Sequence, residues 1–540
     1  MFKSNNQHTQ QSLFASTNWM NPKIKEKLLN SWAPYFYENV FSKIDEEPFS
    51  ALYGTTGNPN FPINIMLSLE YIKHMKGYSD TELLDHFYFD YLVNYAVGMR
   101  TLGEINLSER TLYYFRERVY QYCLENPLQE DLIFGQFMNL LEEFKNLSNI
   151  KFEEQRTDTT MFMSNIKKSG RMSLAYDVLK KAVKVISKEN LTDTLSKVLE
   201  PKFKTDALYL AKDDAWDSKL EELLNLCNEA YGILLQDKQL AISDEARIIK
   251  RFIEEQSTFD AENKKVIPKK KTDLKSSSLQ SAYDEDATFR IKGKTKQSGY
   301  VLEISETCGK ENDFQLITDY VVAPNIISDV ELLEARLEKI HTETGCTDMY
   351  VDGGFHSETV HNKANENGIN IHLTNMSGTE PKKKIAVSAY EIDEETNLIL
   401  KCPNKITPLR ASVKSGQTIA HFPIEACESC EFKDTCQSKK QKKQCVVRIN
   451  LKAIETNRER SKMKSARKEN TSMRAAIEGS ISGLKRTGLS KLKVRGKNKC
   501  SIASGLIVTA QNIKRMIKYL QGGYVSKKVE MPTKGLVCPI

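Results

Sequence analysis

The chain has 540 residues, 40% of them hydrophobic and 28% charged, a composition that excludes a disordered or fibrous chain and allows several buried cores. No run of eighteen apolar residues occurs, and the opening MFKSNNQHTQQSLF is too polar for a secretory signal, so we expect a cytoplasmic protein with no membrane partner. The net charge of +7 is concentrated: Lys439 to Lys499 hold 20 Lys and Arg against 4 Glu, a net of +16, which leaves the remainder acidic and suits a polyphosphate partner, DNA or RNA.

Residues 1 to about 130 read as helices. PINIMLSLEYIKHMKG, SDTELLDHFYFDYLVNYAVG and SERTLYYFRERVYQYCLE repeat apolar residues at intervals of three and four. Ser79 and Ser108 suit N-caps, and Glu82 stands where a capping box requires it. Arg110, Arg116 and Arg118 with Tyr113 and Tyr114 could face DNA, or could equally be core aromatics and solvated arginines.

The texture changes near Ile150. A short β-like stretch runs into Asp158, and an amphipathic helical region follows from about Leu174 to Phe259. After the polar linker VIPKKKTDLKSSSLQS come the strands ATFRIKG, SGYVLEIS and FQLITDYVVAP, a helix from about Asp329 to His341, and a strand in TDMYVDGGF that ends at Asp352. This order describes an α/β arrangement, in which an acid at a strand end is exposed where ligands bind. Asp158 and Asp352 are therefore candidate ligands, and either could instead be a turn or helix cap.

Five of the eleven cysteines, Cys402, Cys427, Cys430, Cys436 and Cys445, fall within 44 positions. With no export signal expected, a disulfide framework is not expected either, and CESC supplies a C-x2-C knuckle able to help bind one tetrahedral Zn²⁺. Four ligands must be chosen from five.

In MRAAIEGSISGLK, residues 473 to 485, a continuous helix would place Arg474 and Lys485 within roughly 40° of Glu478. Such a face is commonly only a solvated ion pair. With Asp158 and Asp352, however, Glu478 completes a trio of carboxylates whose mutual repulsion requires cations, Mg²⁺ or Mn²⁺ with oxygen ligands. Asp284 and Asp286, which directly precede a strand, are rivals for the first acid.

With these residues in view, the sequence resembles the DDE transposases of bacterial insertion sequences, specifically the insertion-sequence 1182 group. Arg474, Glu478 and Lys485 match the R-x3-E-x6-K part of that group's Y-x2-R-x3-E-x6-K signature, while Thr471 stands at the Tyr position. RTDTTMFMSN, DEDATFRIKGKTKQSGYVLEI, VDGGF, VRGKNK and AQNIKRM also match, and the resemblance spans nearly the whole chain.

The resemblance implies an RNase H-like mixed sheet flanked by helices, interrupted by a helical and a Cys-rich insertion and preceded by an all-α domain. The expected segments are 1–130, a helical DNA-binding domain; 145–165, the first part of the core; 166–284, the helical insertion and linker; 285–390, the second part of the core; 391–446, the Cys-rich insertion; 447–525, the third part with the Glu helix and basic surface; and 526–540, a tail. It further implies Asp158, Asp352 and Glu478 as the ligands of two Mg²⁺ or Mn²⁺ ions. Arg474, Lys485, Arg486, Arg495 and Lys497 would lie on phosphates. Cys402, Cys427, Cys430 and Cys436 would hold zinc, with Cys445 the alternative. The implied activity is cleavage and strand transfer on double-stranded terminal inverted repeats and target DNA, by a homodimer on paired ends, in a bacterial cytoplasm and associated with the nucleoid. A domesticated transposase that only binds DNA, or a different RNase H-like nuclease, is the alternative.

Overall fold

The computed structural model describes residues 1–9, 15–129, 131–167, 169–208, 216–260, 265–293, 295–374 and 384–523, so the expected tail at 526–540 lies outside the described residues. The chain forms two compact units, Met1–Cys346 with Ile477–Ile540, and Thr347–Ala476.

In the first unit, helices α1 (Ile63–Lys76), α2 (Asp80–Phe89), α3 (Glu109–Glu125) and α4 (Leu132–Leu147) follow one another as the apolar spacing predicts. Helix α1 is apolar around most of its circumference and is buried from Ile63 to Ile72, as expected of a central helix. The expected capping box opens α2: Ser79 Oγ accepts from Glu82 N at 3.2 Å and the Glu82 carboxylate accepts from Ser79 N at 2.8 Å.

Strand β1 (Glu154–Phe162) follows, then an insertion of helices α5 (Arg171–Val185), α6 (Trp216–Leu234) and α7 (Asp244–Gln256) around its own apolar cluster, which includes Leu179, Leu223 and Phe252. The helical region expected to reach Phe259 stops at Gln256. Thr258 and Phe259, better suited to a pleated backbone, lie in a hairpin of β2 (Ser257–Asp260) and β3 (Lys265–Pro268), which also takes up the start of the expected linker. Strands β4 (Thr288–Lys292), β5 (Thr295–Thr307) and β6 (Ile317–Pro324) complete the sheet of this unit. β5 is its organiser: its first half pairs with β4, its second with β1, and its other edge with β6, all antiparallel. Helix α8 (Asp329–Thr344) packs on one face, pinned by Arg336 to Asp319.

The second unit opens with β7 (Asp348–Val351), α9 (Glu358–Glu366) and β8 (Asn370–Leu373), a parallel β-α-β crossover. Further on, β9 (Arg410–Lys414), β10 (Gln417–Phe422), helix α10 (Ile424–Glu428), β11 (Lys439–Lys440) and β12 (Cys445–Asn450) build an antiparallel sheet in the order β9-β10-β12-β11. Helix α11 (Leu451–Ala475) closes the unit. The chain then re-enters the first unit as α12 (Ile477–Leu484) and α13 (Lys497–Leu520). α13 crosses β6 on the face opposite α8, so closely that a Cβ at Gly505 would collide with the Tyr320 hydroxyl. The fold is mixed α/β, with antiparallel pairing in the first unit and parallel pairing at the start of the second.

Candidate active site

Asp158 occupies the middle of β1, opposite Ile304 of β5, rather than the strand end that the sequence led us to expect. The strand continues through Thr159, Thr160, Met161 and Phe162, because β-branched and aromatic residues favour the extended chain. The aspartate is 8% exposed, and its Oδ1 accepts from Thr159 N at 2.8 Å.

Glu478 is the second residue of α12. Ile477, Ser480, Ile481 and Leu484 bury one side of that helix, whereas Glu478 is exposed on another. Helix α12 packs on β1, so Asp158 and Glu478 stand on two touching elements of one unit. A carboxylate in the first turn is also favoured by the positive end of the helix dipole.

The basic segment is tied to the same strand. Met163 N donates to Ser490 O at 3.2 Å, Leu492 N to Met163 O at 2.8 Å, and Asn165 N to Val494 O at 2.8 Å, which holds residues 490–494 along the continuation of β1. Lys485, Arg486, Lys491, Lys493, Arg495 and Lys497 are all exposed. Arg495 donates from Nε to Asn165 O at 2.8 Å and lies 5.1 Å from the Tyr283 ring centroid.

Asp352 belongs to the second unit. It follows β7 directly, as expected, and caps the short turn Gly353–Phe355 by accepting from Gly354 N at 2.7 Å. A Cβ at Gly354 would lie 2.8 Å from that same Oδ1, so a side chain there would push the capping oxygen from its place. The other carboxylate oxygen of Asp352 lies 3.5 Å from Arg474 Nη2, an ion pair inside the unit with both partners half-buried.

The single helix expected from Met473 to Lys485 is interrupted. α11 ends at Ala475, α12 starts at Ile477, and Lys485 opens a wide turn, Lys485–Leu489, bent at Gly488 with φ of 110°. A common face for Arg474, Glu478 and Lys485 therefore does not follow from sequence offsets alone.

The rival acids have structural partners. Asp284 is buried and accepts from Ser164 Oγ and, at 2.6 Å, from Tyr300 Oη. Burial and this carboxylate raise the Tyr300 hydroxyl pKa far above the phenolic range. Asp286 accepts from Lys497 N at 3.2 Å, at the start of α13. Of the arginines considered for DNA, Arg116 is tied to Glu70 at 2.6 Å and Asp80 at 2.6 Å, and Arg118 donates to Leu52 O at 2.8 Å. These two hold the helical segment together, while Tyr113 and Tyr114 are exposed.

In the second unit, Cys402, Cys427, Cys430 and Cys436 line one small cavity together with Phe422 and Val447. Cys445 is buried on β12 opposite Phe422, and its thiol interacts with that of Cys427. Burial, with the neighbouring thiols, pushes the Cys427 thiol up to about 12. Tyr390 Oη lies 3.6 Å from Cys436 Sγ. Among the described residues no three His, Cys, Asp or Glu side chains are gathered as a metal centre.

Sequence reasoning did not assign roles to Arg156, Glu306, Ser480 and Arg515, a buried polar cluster beside Asp158 and Glu478. Arg156 opens the matched stretch RTDTTMFMSN, Ser480 lies in MRAAIEGSISGLK and Arg515 in AQNIKRM, whereas no matched stretch includes Glu306.

Residues 26–118 match a transposase domain (DUF772), and residues 401–517 match a transposase DDE domain. No curated protein and no solved structure matches the chain. No helix among the described residues is long and apolar enough to cross a membrane.

Proposed function

This chain belongs to the DDE transposases, carrying two transposase-family domains, and from that premise we propose that it cuts the ends of a mobile DNA element and joins them to target DNA by metal-dependent phosphoryl transfer. The observation that carries the reading is the meeting in one unit of Asp158, Glu478 and the last stretch of the basic segment, Lys485 to Lys499: α12 packs on β1, and residues 490–494 are hydrogen-bonded along the continuation of that strand. The proposed core is RNase H-like, with Asp158 on its first strand, and the chain belongs to the insertion-sequence 1182 group.

Asp158, Asp352 and Glu478 would hold two Mg²⁺ or Mn²⁺ ions, hard cations to which carboxylate oxygens are suited. The ions would activate the attacking oxygen and stabilise the leaving 3′-oxygen. The protein's own part is to orient and neutralise. Asp352 sits on a turn fixed by its own cap, and Arg474 beside it would hold a phosphate or balance charge. Lys485, Arg486, Arg495 and Lys497 would grip the DNA backbone. The partners are double-stranded terminal inverted repeats and target DNA, bound by a homodimer, and the location is the bacterial cytoplasm at the nucleoid. The segments 1–130, 145–165, 166–284, 285–390, 391–446 and 447–525 would have the roles the resemblance gives them.

Four thiolates, Cys402, Cys427, Cys430 and Cys436, with Cys445 the alternative, would hold a structural Zn²⁺. Their soft sulfur donors fit that metal, and four of the five line one cavity.

The test is Glu478→Gln on labelled DNA from the ends of the element with Mg²⁺. Cleavage is expected to vanish while end binding stays within a few-fold, because a ligand charge is lost and the basic surface is kept. Cleavage equal to the parent's would reject the triad, and binding without cleavage by the parent itself would leave a DNA-binding regulator.

A further inference from the structure

Glu306, near the end of the central strand β5, has no exposed surface although it carries an ionisable side chain. It stands opposite Arg156, two residues before Asp158 on the same face of β1. Its Oε1 accepts from Arg156 Nε at 2.8 Å, and its Oε2 accepts from Arg515 Nη1 at 3.0 Å and from the hydroxyl of Ser480. Arg515, on α13, also donates to the Ser480 hydroxyl and, at 3.0 Å, to Gln315 O. Ser480 is two residues after Glu478 on α12, and Gln511 of α13 donates to the Ser480 carbonyl at 3.1 Å. One buried carboxylate thus binds the strand of Asp158, the helix of Glu478 and the helix behind both.

A cluster of this kind is a poor device for stability. Desolvating the ions is costly, and a well-packed apolar replacement of similar volume is often as stable or more so. What it provides is geometry. The hydrogen bonds have fixed directions, and Ser480 points inward while Glu478, about 200° around the helix, points out. A turn of α12 about its axis would break the bonds at Ser480 and swing the Glu478 carboxylate relative to Asp158. Sliding of α12 along β1 would do the same.

We infer that Arg515 and Ser480, acting through Glu306 and Arg156, are positioning residues that fix α12 on β1 and so set the separation of the Asp158 and Glu478 carboxylates for a divalent cation. The inference rests on the assignment of those two acids as metal ligands. It also accounts for the end of AQNIKRM: Asn512 docks α13 to the chain at Ile317, donating to its carbonyl at 2.7 Å and accepting from its N–H at 2.9 Å, while Arg515 reaches the clamp.

The experiment compares Arg515→Met, Arg515→Lys and Asn512→Ala in the full-length protein. Mn²⁺ binding is followed by loss of the free-ion paramagnetic signal, alongside melting temperature, end binding and single-turnover cleavage. Arg515→Met should weaken Mn²⁺ binding at least 10-fold and slow cleavage on the order of 10²-fold, the scale of a 1 Å misplacement, with end binding within three-fold. Arg515→Lys should recover part of both losses. Asn512→Ala should lower the melting temperature and leave Mn²⁺ affinity unchanged. Parental Mn²⁺ affinity in Arg515→Met, or an equal loss in Asn512→Ala at a matched drop in melting temperature, overturns the inference. If Arg515→Met does not fold, Ser480→Ala decides: a 3- to 10-fold weaker Mn²⁺ affinity supports the clamp and parental affinity rejects it. Glu478→Gln is the separate control. If it too keeps parental Mn²⁺ affinity, the metal assignment has failed; if it alone loses affinity, only the clamp has.

Discussion

Asp352 divides its carboxylate between two tasks. One oxygen caps the turn that follows β7 and the other lies 3.5 Å from the Arg474 guanidinium. The cap-or-ligand ambiguity of the sequence is thus a real property of the residue, since a capping oxygen leaves its partner available. Lys485 poses a sharper question, because it is exposed in a turn rather than on the helix with Glu478. If it only adds to a basic surface, Lys485→Ala should match Lys497→Ala, each lowering the salt slope of DNA binding by about one. If its charge acts on the scissile or a neighbouring phosphate, Lys485→Ala should slow single-turnover cleavage on saturating DNA by about 10²-fold, the effect of removing one preorganised charge-stabilising donor. We expect the second outcome, and equal cleavage rates in the two variants would return Lys485 to the general surface.

At the scale of elements, the sheet β9-β10-β12-β11 packs over a small core of Ala420, Phe422, Val447, Ile449 and a few neighbours; Cys445 lies on β12, Cys427 on α10, and Cys402, Cys430 and Cys436 in the turns beside them. A segment this polar would gain from the proposed zinc, because the binding free energy of a cross-linking metal becomes folding free energy. Protein purified without chelator should carry about one zinc per chain, and Cys430→Ser should lose both the metal and several degrees of melting temperature. Metal analysis that finds no zinc would dismiss the site. The cysteine cluster was legible because C-x2-C is a local pattern. The hairpin β2–β3 was not, since Arg171 anchors it from far along the chain, bonding Gln256 Oε1 at 2.7 Å and Lys269 O at 2.6 Å.

For the whole molecule, charge asymmetry carries a prediction of its own. A segment of net +16 in a chain of +7 should bind DNA through phosphates and release counterions. Affinity for end DNA should therefore fall on the order of 10³-fold or more between 50 and 200 mM salt if about six phosphates are contacted, and affinity indifferent to salt would remove the basic segment from the interface. The sequence by itself determined the features written in neighbouring residues: helix spacing and the Ser79 capping box, the cysteine cluster, the basic segment, and Asp352 after its strand. Only the tertiary structure decided that Asp158 lies inside β1, that Asp284 is held by Ser164 and Tyr300, that Arg116 and Arg118 serve the interior, and that Glu306 gathers Arg156, Ser480 and Arg515. Those partners lie tens to hundreds of residues apart, and whether a buried charge is a ligand or a tie depends on which opposite charge the fold brings to it, which no local pattern encodes.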